Sequence, residues 1–345
     1  MARIPKPGRR RREARSLFRE LDELTTANRT AADPQKERRL LRVRHRAFEH
    51  LKPANGAHEV APAEGVEHRL EQGLPVADAA ELSAGQVRAA ILDHGSLHVR
   101  GLIDTELVER LKAGIDHTFD ASVAYGESQE NGGEDAWSGQ PEAAWYQPFR
   151  PLPGYSLGGG RNWNRNNTAI WAADSPRLMF ELIESFDRLG LSDLVGTYLG
   201  ERPAISMNKT VLRRVPPRGG GADWHQDGAF LGDDIRSLNV WLSLSDCGVT
   251  APGMDIVARR LDEIVPTGTD GANFDWSVAP DVAERAAGAA GIVRPHFQPG
   301  DALLFDHLNL HRTAAEETMT DPRYAVETWF FAPSSYPDGQ VPIVL

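Results

Sequence analysis

The residue pattern changes character at Gly200, and this change constrains the fold more than any other feature of the sequence. Before Gly200, apolar residues recur at helical spacing, as in Leu107, Leu111 and Ile115. After Gly200 the chain carries runs typical of strands, at residues 205–215, 238–245, 302–305 and 324–332. Helices followed by strands, with little alternation between them, indicate an α+β domain whose core is an antiparallel sheet pair or barrel.

Local signals place several boundaries in the helical half. Ser83 and Gln86 have the spacing of a capping box, and Gly95 stands where that helix would end. A short strand at 97–99 and a helix after Gly101 follow. Ser175-Pro176 predicts the start of another helix. Residues 126–168 are rich in Gly, Trp, Asn and Pro, which favours long loops over a site.

The N-terminal part differs in charge from the rest. Residues 1–80 are predicted to be a basic helical extension and linker, and residues 81–345 the main domain; within the extension, 53–80 shows little periodicity. The basic run Arg9 to Arg12 and the apolar stripe that includes Leu17 and Leu21 favour a solvated helical extension docked on the main domain or on a partner. Binding of nucleic acid or an acidic partner by this arm is the less favoured alternative.

Composition excludes several classes of protein. A formal net charge of -11 and a pI near 5.5 argue against a chain that coats nucleic acid or an anionic membrane. Cys247 is the only cysteine, so neither an internal disulfide nor a thiolate zinc cage can form within one chain. No apolar run approaches the roughly 20 residues that span a bilayer. We therefore expect a cytoplasmic protein that does not enter membranes; its oligomeric state is left open.

A candidate metal site begins at Trp224-His225-Gln226-Asp227. Residues i and i+2 of an extended chain point to the same face, so His225 and Asp227 can reach one ion together. A histidine nitrogen and a carboxylate oxygen suit a first-row divalent metal. The pair by itself is weak evidence, because the same spacing arises in surface hydrogen-bonded pairs.

A distant segment supplies a third ligand. Residues 298–313 read as a turn, a buried strand and then His311; His307 is the competing histidine, but His311 is preferred because the strand should extend before the ligand. Two histidines and one carboxylate on one side of a metal are typical of non-haem iron(II) oxygenases, which keep other positions open. Those positions would accept the keto-acid oxygens of a cosubstrate and dioxygen.

Arg323, twelve positions beyond His311, completes the pattern. Its guanidinium can bind a carboxylate through two parallel hydrogen bonds, which the distal carboxylate of 2-oxoglutarate requires. A surface arginine beside an acidic turn is the alternative.

Taken together, residues 83–335 resemble the phytanoyl-CoA dioxygenase family of Fe(II)- and 2-oxoglutarate-dependent oxygenases. The resemblance is carried by residues 91–101, 224–228, 239–244 and 300–305 and by His311, Thr313 and Arg323. It implies a double-stranded β-helix, a cupin-like jelly-roll barrel with flanking helices. It also implies Fe(II) on His225, Asp227 and His311, with O2 as oxidant. Arg323 and Thr313 would hold 2-oxoglutarate, and Trp241 and Met207 would line its pocket.

The implied activity is hydroxylation, oxidative cyclisation or desaturation of a small-molecule metabolite, with a setting in secondary metabolism, and release of succinate and CO2. Halogenation is not expected, because the carboxylate of Asp227 leaves no vacancy for a halide. The alternatives are a non-catalytic jelly-roll binding or regulatory module and a cupin-type metalloenzyme that needs no cosubstrate.

Two segments have open roles. Residues 253–260 depart from the family pattern, and residues 261–291, which contain Trp276, resemble an insertion that is either a lid or a surface excursion. Polar residues in 161–167 could bind substrate between apolar walls formed by Trp137, Trp145 and Trp163, although stabilisation of loops explains them equally well.

Overall fold

The computed structural model describes residues 7–51, 63, 65, 67–131, 137–157, 160–217 and 222–345. Its helices are α1 (Pro7–Thr30), α2 (Pro34–Phe48), α3 (Ala84–His94), α4 (Thr105–Asn131), α5 (Gly160–Asn166), α6 (Pro176–Arg188), α7 (Leu191–Leu199), α8 (Gly228–Leu231) and α9 (Pro280–Ala287). No helix within these ranges has both the length and the apolar character needed to cross a bilayer.

The strands form two sheets. They are β1 (Arg69–Glu71), β2 (Leu74–Asp78), β3 (Ser96–Arg100), β4 (Ala169–Trp171), β5 (Ala204–Val215), β6 (Ser237–Ser243), β7 (Gly253–Val257), β8 (Ile292–Val293), β9 (Ala302–Phe305), β10 (His311–Ala314), β11 (Arg323–Phe331) and β12 (Pro342–Val344). The main sheet has the order β1-β2-β3-β9-β6-β11-β5-β12, with β4 also on β5; the small sheet has the order β10-β7-β8. Every pairing is antiparallel except β2 with β3. The α+β prediction is confirmed, although the main sheet does not close into a barrel.

The main sheet is buried on both faces, and alternate residues serve different cores. Val240, Leu242 and Val326 pack towards the helices in the largest hydrophobic cluster. Trp241, on the opposite face of β6, packs with Met254 of the small sheet in a second cluster. Alternation along the strands therefore points every second side chain away from the helices, and these side chains line the space between the two sheets.

The predicted helical extension is docked on the body of the protein. Helix α2 packs against β12 and α6. The buried Arg44 donates a hydrogen bond to the carbonyl of Val344 at 3.0 Å, and His45 Nδ1 lies 2.7 Å from the carbonyl of Pro342. These bonds satisfy backbone carbonyls of the last strand, β12, and hold α2 against the main domain.

Two boundaries in the N-terminal half need correction. Residues 69–78, predicted as part of a linker that ends at 80, form β1 and β2 and belong to the main sheet. Short strands with Leu74 and Val76 buried leave little periodicity to detect. Helix α4 continues to Asn131, into the segment predicted as loops. Residues 53–62 lie outside the described residues. The capping box at Ser83 and the left-handed Gly95 are confirmed.

The turn before β9 joins the helical layer to the main sheet. Gly300 has φ +98°, and a Cβ there would lie 2.5 Å from the carbonyl oxygen of Ile103, so only glycine fits. The buried Asp301 accepts hydrogen bonds from Arg100 at 2.7 Å, from the Gly101 amide at 2.9 Å and from His98 at 3.2 Å. Burial alone would raise the pKa of Asp301, but these donors outweigh it and lower the pKa to about 2.

We expect Asp301→Asn to lower the free energy of unfolding by about 3 kcal/mol, because it leaves buried donors without a charged acceptor. The pKa of Asp301 is lower in the folded than in the unfolded chain. Its contribution is therefore fully present above about pH 4 and disappears as the pH falls towards 2. Urea unfolding at pH 7 and pH 3 tests this. Asp262→Asn, at an 88% exposed side chain, is the control and should cost less than about 0.5 kcal/mol. Equal losses in both variants would contradict the assignment.

Candidate metal centre

Backbone pairing brings His225 and His311 together. The amide of His225 donates to the carbonyl of His311 at 3.0 Å, and the reverse bond is 3.1 Å long. Asp227 follows two residues later, at the start of α8. The ligand atoms of His225, Asp227 and His311 all lie within 4.8 Å of one another, and within the described ranges this is the one His/Cys/Asp/Glu group found that could hold a metal ion. The structure thus assembles the three residues that the sequence selected.

The two histidines present the same ring nitrogen to the centre. His225 Nδ1 lies 2.7 Å from the carbonyl oxygen of Asp223, and His311 Nδ1 lies 3.2 Å from that of Asn309. A carbonyl oxygen only accepts, so each Nδ1 carries the proton and each Nε2 carries a lone pair. Histidines that ligate metals are commonly oriented in this way. Burial lowers the pKa of His311 to about 4, which leaves its imidazole neutral at pH 7.

The two carboxylate oxygens of Asp227 have different surroundings. Its Oδ1 accepts a hydrogen bond from Lys209 Nζ at 3.1 Å. Its Oδ2 is buried without a hydrogen-bond partner and lies 4.0 Å from Nε2 of both histidines. Burial by itself raises the pKa of Asp227, but the nearby Lys209 and histidines lower it below the usual value. An ionised, unpartnered oxygen that faces two lone pairs is a donor set that fits a divalent cation.

His307, the competing histidine, is engaged elsewhere. Its Nδ1 lies 3.0 Å from Ser237 Oγ, and its Nε2 lies 3.2 Å from the carbonyl oxygen of Asp233. Both ring nitrogens therefore have partners outside the centre. The geometry favours His311 over His307 as the third ligand.

A cavity of about 440 Å³ opens beside the three residues, and three of the four residues expected to bind cosubstrate line it: Arg323, Thr313 and Trp241. Arg323 is buried, forms no ion pair with any described residue, and has an unpartnered Nε. Its NH1 donates to the carbonyl of Gly253 at 3.3 Å. Burial lowers the pKa of Arg323 to about 10, so the side chain stays charged at pH 7. A buried cation without a carboxylate partner fits an anionic ligand.

Met207 is the exception. It is fully buried in the cluster between the main sheet and the helices, and it is not among the residues that line the cavity. Strict alternation along β5 would put Met207 on the same face as Lys209 and Arg213. However, the register with β11 shifts between the pairs Phe330–Ile205 and Thr328–Thr210, and this irregularity reverses the alternation.

Sequence reasoning missed several residues of the site. Gln226 lies between two candidate ligands and points away from them; its amide nitrogen donates to the carbonyls of Glu263 and Leu308, and its oxygen accepts from the Val265 amide. Strand alternation could have indicated this buried role. Lys209 and the Arg213–Glu327 ion pair, 2.8 Å long, also line the cavity. Only the adjacency of β5 and β11 identifies them.

The segment 261–291 lies over the site, with Phe274 and Trp276 on the cavity. The ring of Trp276 contacts that of His225 edge-on, with centroids 5.7 Å apart. Of the three tryptophans considered as apolar walls, Trp163 lines the cavity. Trp137 is buried in a separate cluster beside which Trp145 packs, so those two stabilise the surrounding structure.

A family model for phytanoyl-CoA dioxygenase matches residues 91–325. The chain belongs to the phytanoyl-CoA dioxygenase family. Enzymes of this family use Fe(II), 2-oxoglutarate and O2, and the His225–Asp227–His311 group of this member fits an iron site. The residues matched include all three members of that group and Arg323. This phytanoyl-CoA dioxygenase family protein is therefore an Fe(II)- and 2-oxoglutarate-dependent oxygenase.

Solved structures similar to the chain include two that contain 2-oxoglutarate. EvdO2 from Micromonospora carbonacea var. aurantiaca, complexed with 2-oxoglutarate, is 16% identical, with 75% of this chain and 92% of that chain covered and a TM-score of 0.45. EctD from S. alaskensis, with 2-oxoglutarate and 5-hydroxyectoine, is 16% identical over 83% and 89% of the two chains, with a TM-score of 0.49. The 2-oxoglutarate-dependent carbocyclase SnoK from nogalamycin biosynthesis is 13% identical over 73% and 85%, with a TM-score of 0.46. No curated protein sequence matches the chain.

We expect His311→Ala to weaken Fe(II) binding at least about 100-fold, because it removes one of three ligands. His307→Gln should change the dissociation constant less than threefold, since both nitrogens of His307 serve other partners. Anaerobic calorimetric titration with Fe(II) measures both, and thermal unfolding of each variant checks that it folds. Loss of binding in His307→Gln with binding kept in His311→Ala would exchange the two assignments.

Met207→Leu should leave 2-oxoglutarate affinity within twofold of the wild type, because Met207 packs among the helices. Trp241→Leu should weaken it, because Trp241 lies on the cavity. The volume-conserving change at Met207 should cost less than about 1.5 kcal/mol of stability. The measurement is equilibrium binding of 2-oxoglutarate to both iron-loaded variants. A larger loss of affinity in Met207→Leu than in Trp241→Leu would show that Met207 does line the pocket.

Proposed function

We propose that this oxygenase holds Fe(II) on His225, Asp227 and His311 and hydroxylates, oxidatively cyclises or desaturates a small-molecule metabolite, with release of succinate and CO2. One observation carries the proposal. The unpartnered Oδ2 of Asp227 lies at the same distance from two histidine lone pairs, in a cavity that also contains an unpaired arginine. A binding module without a metal would leave the buried Oδ2 of Asp227 unsatisfied.

Arg323 and Thr313 would bind the distal carboxylate of 2-oxoglutarate. Thr313 follows His311 by two residues on β10, so both side chains face the cavity, whereas Arg312 between them turns to Trp224. Trp241 forms an apolar wall beside them. This arrangement orients a dicarboxylate, because one fixed cation at a distance from the metal ligands selects a ligand with two charged ends.

The remaining residues prepare the site. Bound iron would activate dioxygen for attack on the substrate. The protein keeps His311 neutral by burial, and Lys209 occupies one oxygen of Asp227 so that the other faces the histidines. Phe274 and Trp276 line the cavity beside the centre.

We further propose that the two facing sheets form the double-stranded β-helix, or jelly roll, of a cupin-like domain. The side chains of both sheets meet in one cluster, which supports this. The single cysteine and the negative net charge support a cytoplasmic protein that does not bind nucleic acid. A role in secondary metabolism is part of the same proposal. The docked position of α2 supports a structural role for the basic extension.

Anaerobic addition of 2-oxoglutarate to the iron-loaded protein should produce the weak visible charge-transfer band of the chelate. Arg323→Ala should weaken 2-oxoglutarate binding about 100-fold or more, because the buried cation that pairs with the distal carboxylate is lost. Arg285→Ala, at an exposed arginine, is the control. A normal band in Arg323→Ala would show that another group pairs with the distal carboxylate. No band in folded, iron-loaded wild type would favour a binding module or a cupin-type metalloenzyme that needs no cosubstrate.

A further inference from the structure

The mouth of the cavity is built from aromatic side chains of separate chain segments. Trp163 comes from α5, Phe230 from α8, and Phe274 and Trp276 from the segment 261–291. Exposure is high for large apolar groups: 57% for Trp163, 53% for Phe274 and 39% for Phe230. Large apolar rings are usually buried, because their removal from water is favourable. Their exposure beside a candidate metal centre therefore indicates a surface that binds a ligand.

The rings are ordered with respect to one another and to the metal ligands. Phe274 and Trp276 are parallel, with an interplanar angle of 2° and centroids 5.1 Å apart. Trp276 stands perpendicular to Phe230, and Phe230 lies nearly parallel to His225. The mouth therefore presents a set of flat π faces and ring edges that continues to His225. A planar unsaturated ring can stack on such faces or meet their edges with its whole ring, whereas a puckered aliphatic ring contacts them only through part of its C–H groups and lacks the aromatic quadrupole.

Charge and size restrict the ligand further. The cavity is lined by three cationic side chains and two carboxylates, Lys209, Arg213, Arg323, Asp227 and Glu327, which leaves one positive charge. The charges of Fe(II) and 2-oxoglutarate cancel, so the loaded site keeps that single charge. One positive charge does not balance a polyphosphate, which carries several negative charges. A volume of about 440 Å³ is modest for a site that holds both cosubstrate and substrate.

We propose that the substrate of this oxygenase is a neutral or singly anionic small molecule with a planar, unsaturated ring system, bound against Trp163, Phe230, Phe274 and Trp276. This inference rests on the proposed function for the position of the substrate next to the iron. The aromatic mouth itself is a property of the chain and can be tested separately.

The test compares 2-naphthoate with decahydro-2-naphthoate, which have the same carbon skeleton and charge and differ in planarity. Both are titrated into the iron-loaded protein with 2-oxoglutarate under nitrogen, and again into the metal-free protein, with ligand-observed NMR and calorimetry as readouts. The planar probe should bind about tenfold more tightly, since it gains aromatic contacts on more than one ring. Equal dissociation constants for the two probes in both forms of the protein would overturn the proposal.

Two variants test which residues cause the preference for the planar probe. Trp163→Leu and Phe274→Leu change exposed side chains, so they should fold, and each should reduce the preference for the planar probe at least threefold. Val123→Ala, at a side chain of similar exposure on α4, is the matched control and should not change it. An undiminished preference in both aromatic variants would show that the probe binds elsewhere and would refute the assignment.

The outcomes separate the two proposals. A planar preference without a 2-oxoglutarate chelate would retain the aromatic binding site and reject the proposed oxygenase centre. A chelate without planar preference would retain the oxygenase centre and reject the substrate class.

Discussion

The antiparallel backbone pair between His225 and His311 is the interaction on which the candidate site depends. It joins the irregular segment before α8 to β10, and β10 is itself held by β7. Because two amide–carbonyl bonds fix both backbones, the two imidazoles lie with ring centroids 4.4 Å apart. The turn into α8 then brings Asp227 to the same point. Three ligands from two distant segments of the sequence are in this way placed by backbone geometry before any ion binds.

A second constraint is that the main sheet is buried on both faces. Helices α3, α4, α6 and α7 cover one face, and the small sheet covers the other. Polar residues on the inner side of β5 and β11 are consequently paired while only partly exposed, as in the ion pair of Arg213 with Glu327. Arg323, on the same face of β11, has no such partner among the residues that the structure describes. A buried cation without a carboxylate partner, beside cations that are paired, indicates a ligand-binding group.

The segment 261–291 is joined to the metal centre through Gln226. The buried amide of Gln226 holds the backbone of residues 263 and 265, and the same segment places Phe274 and Trp276 at the mouth. One residue between two candidate ligands therefore couples the position of the substrate surface to that of the metal site. A substitution of Gln226 would therefore alter both the substrate surface and the metal site.

The sequence by itself determined the fold class, most of the strands and helices, and the group His225, Asp227, His311 and Arg323, because ligand chemistry, strand alternation and caps are local properties. Tertiary structure decided the rest. It assigned 69–78 to the main sheet through pairing with β3, and it removed Met207 from the cavity through an irregularity in the register of β5 that no local pattern reveals. It also brought Lys209, Glu327 and Trp276 to the site. These residues share no motif, since what unites them is adjacency of strands and loops that only long-range packing creates.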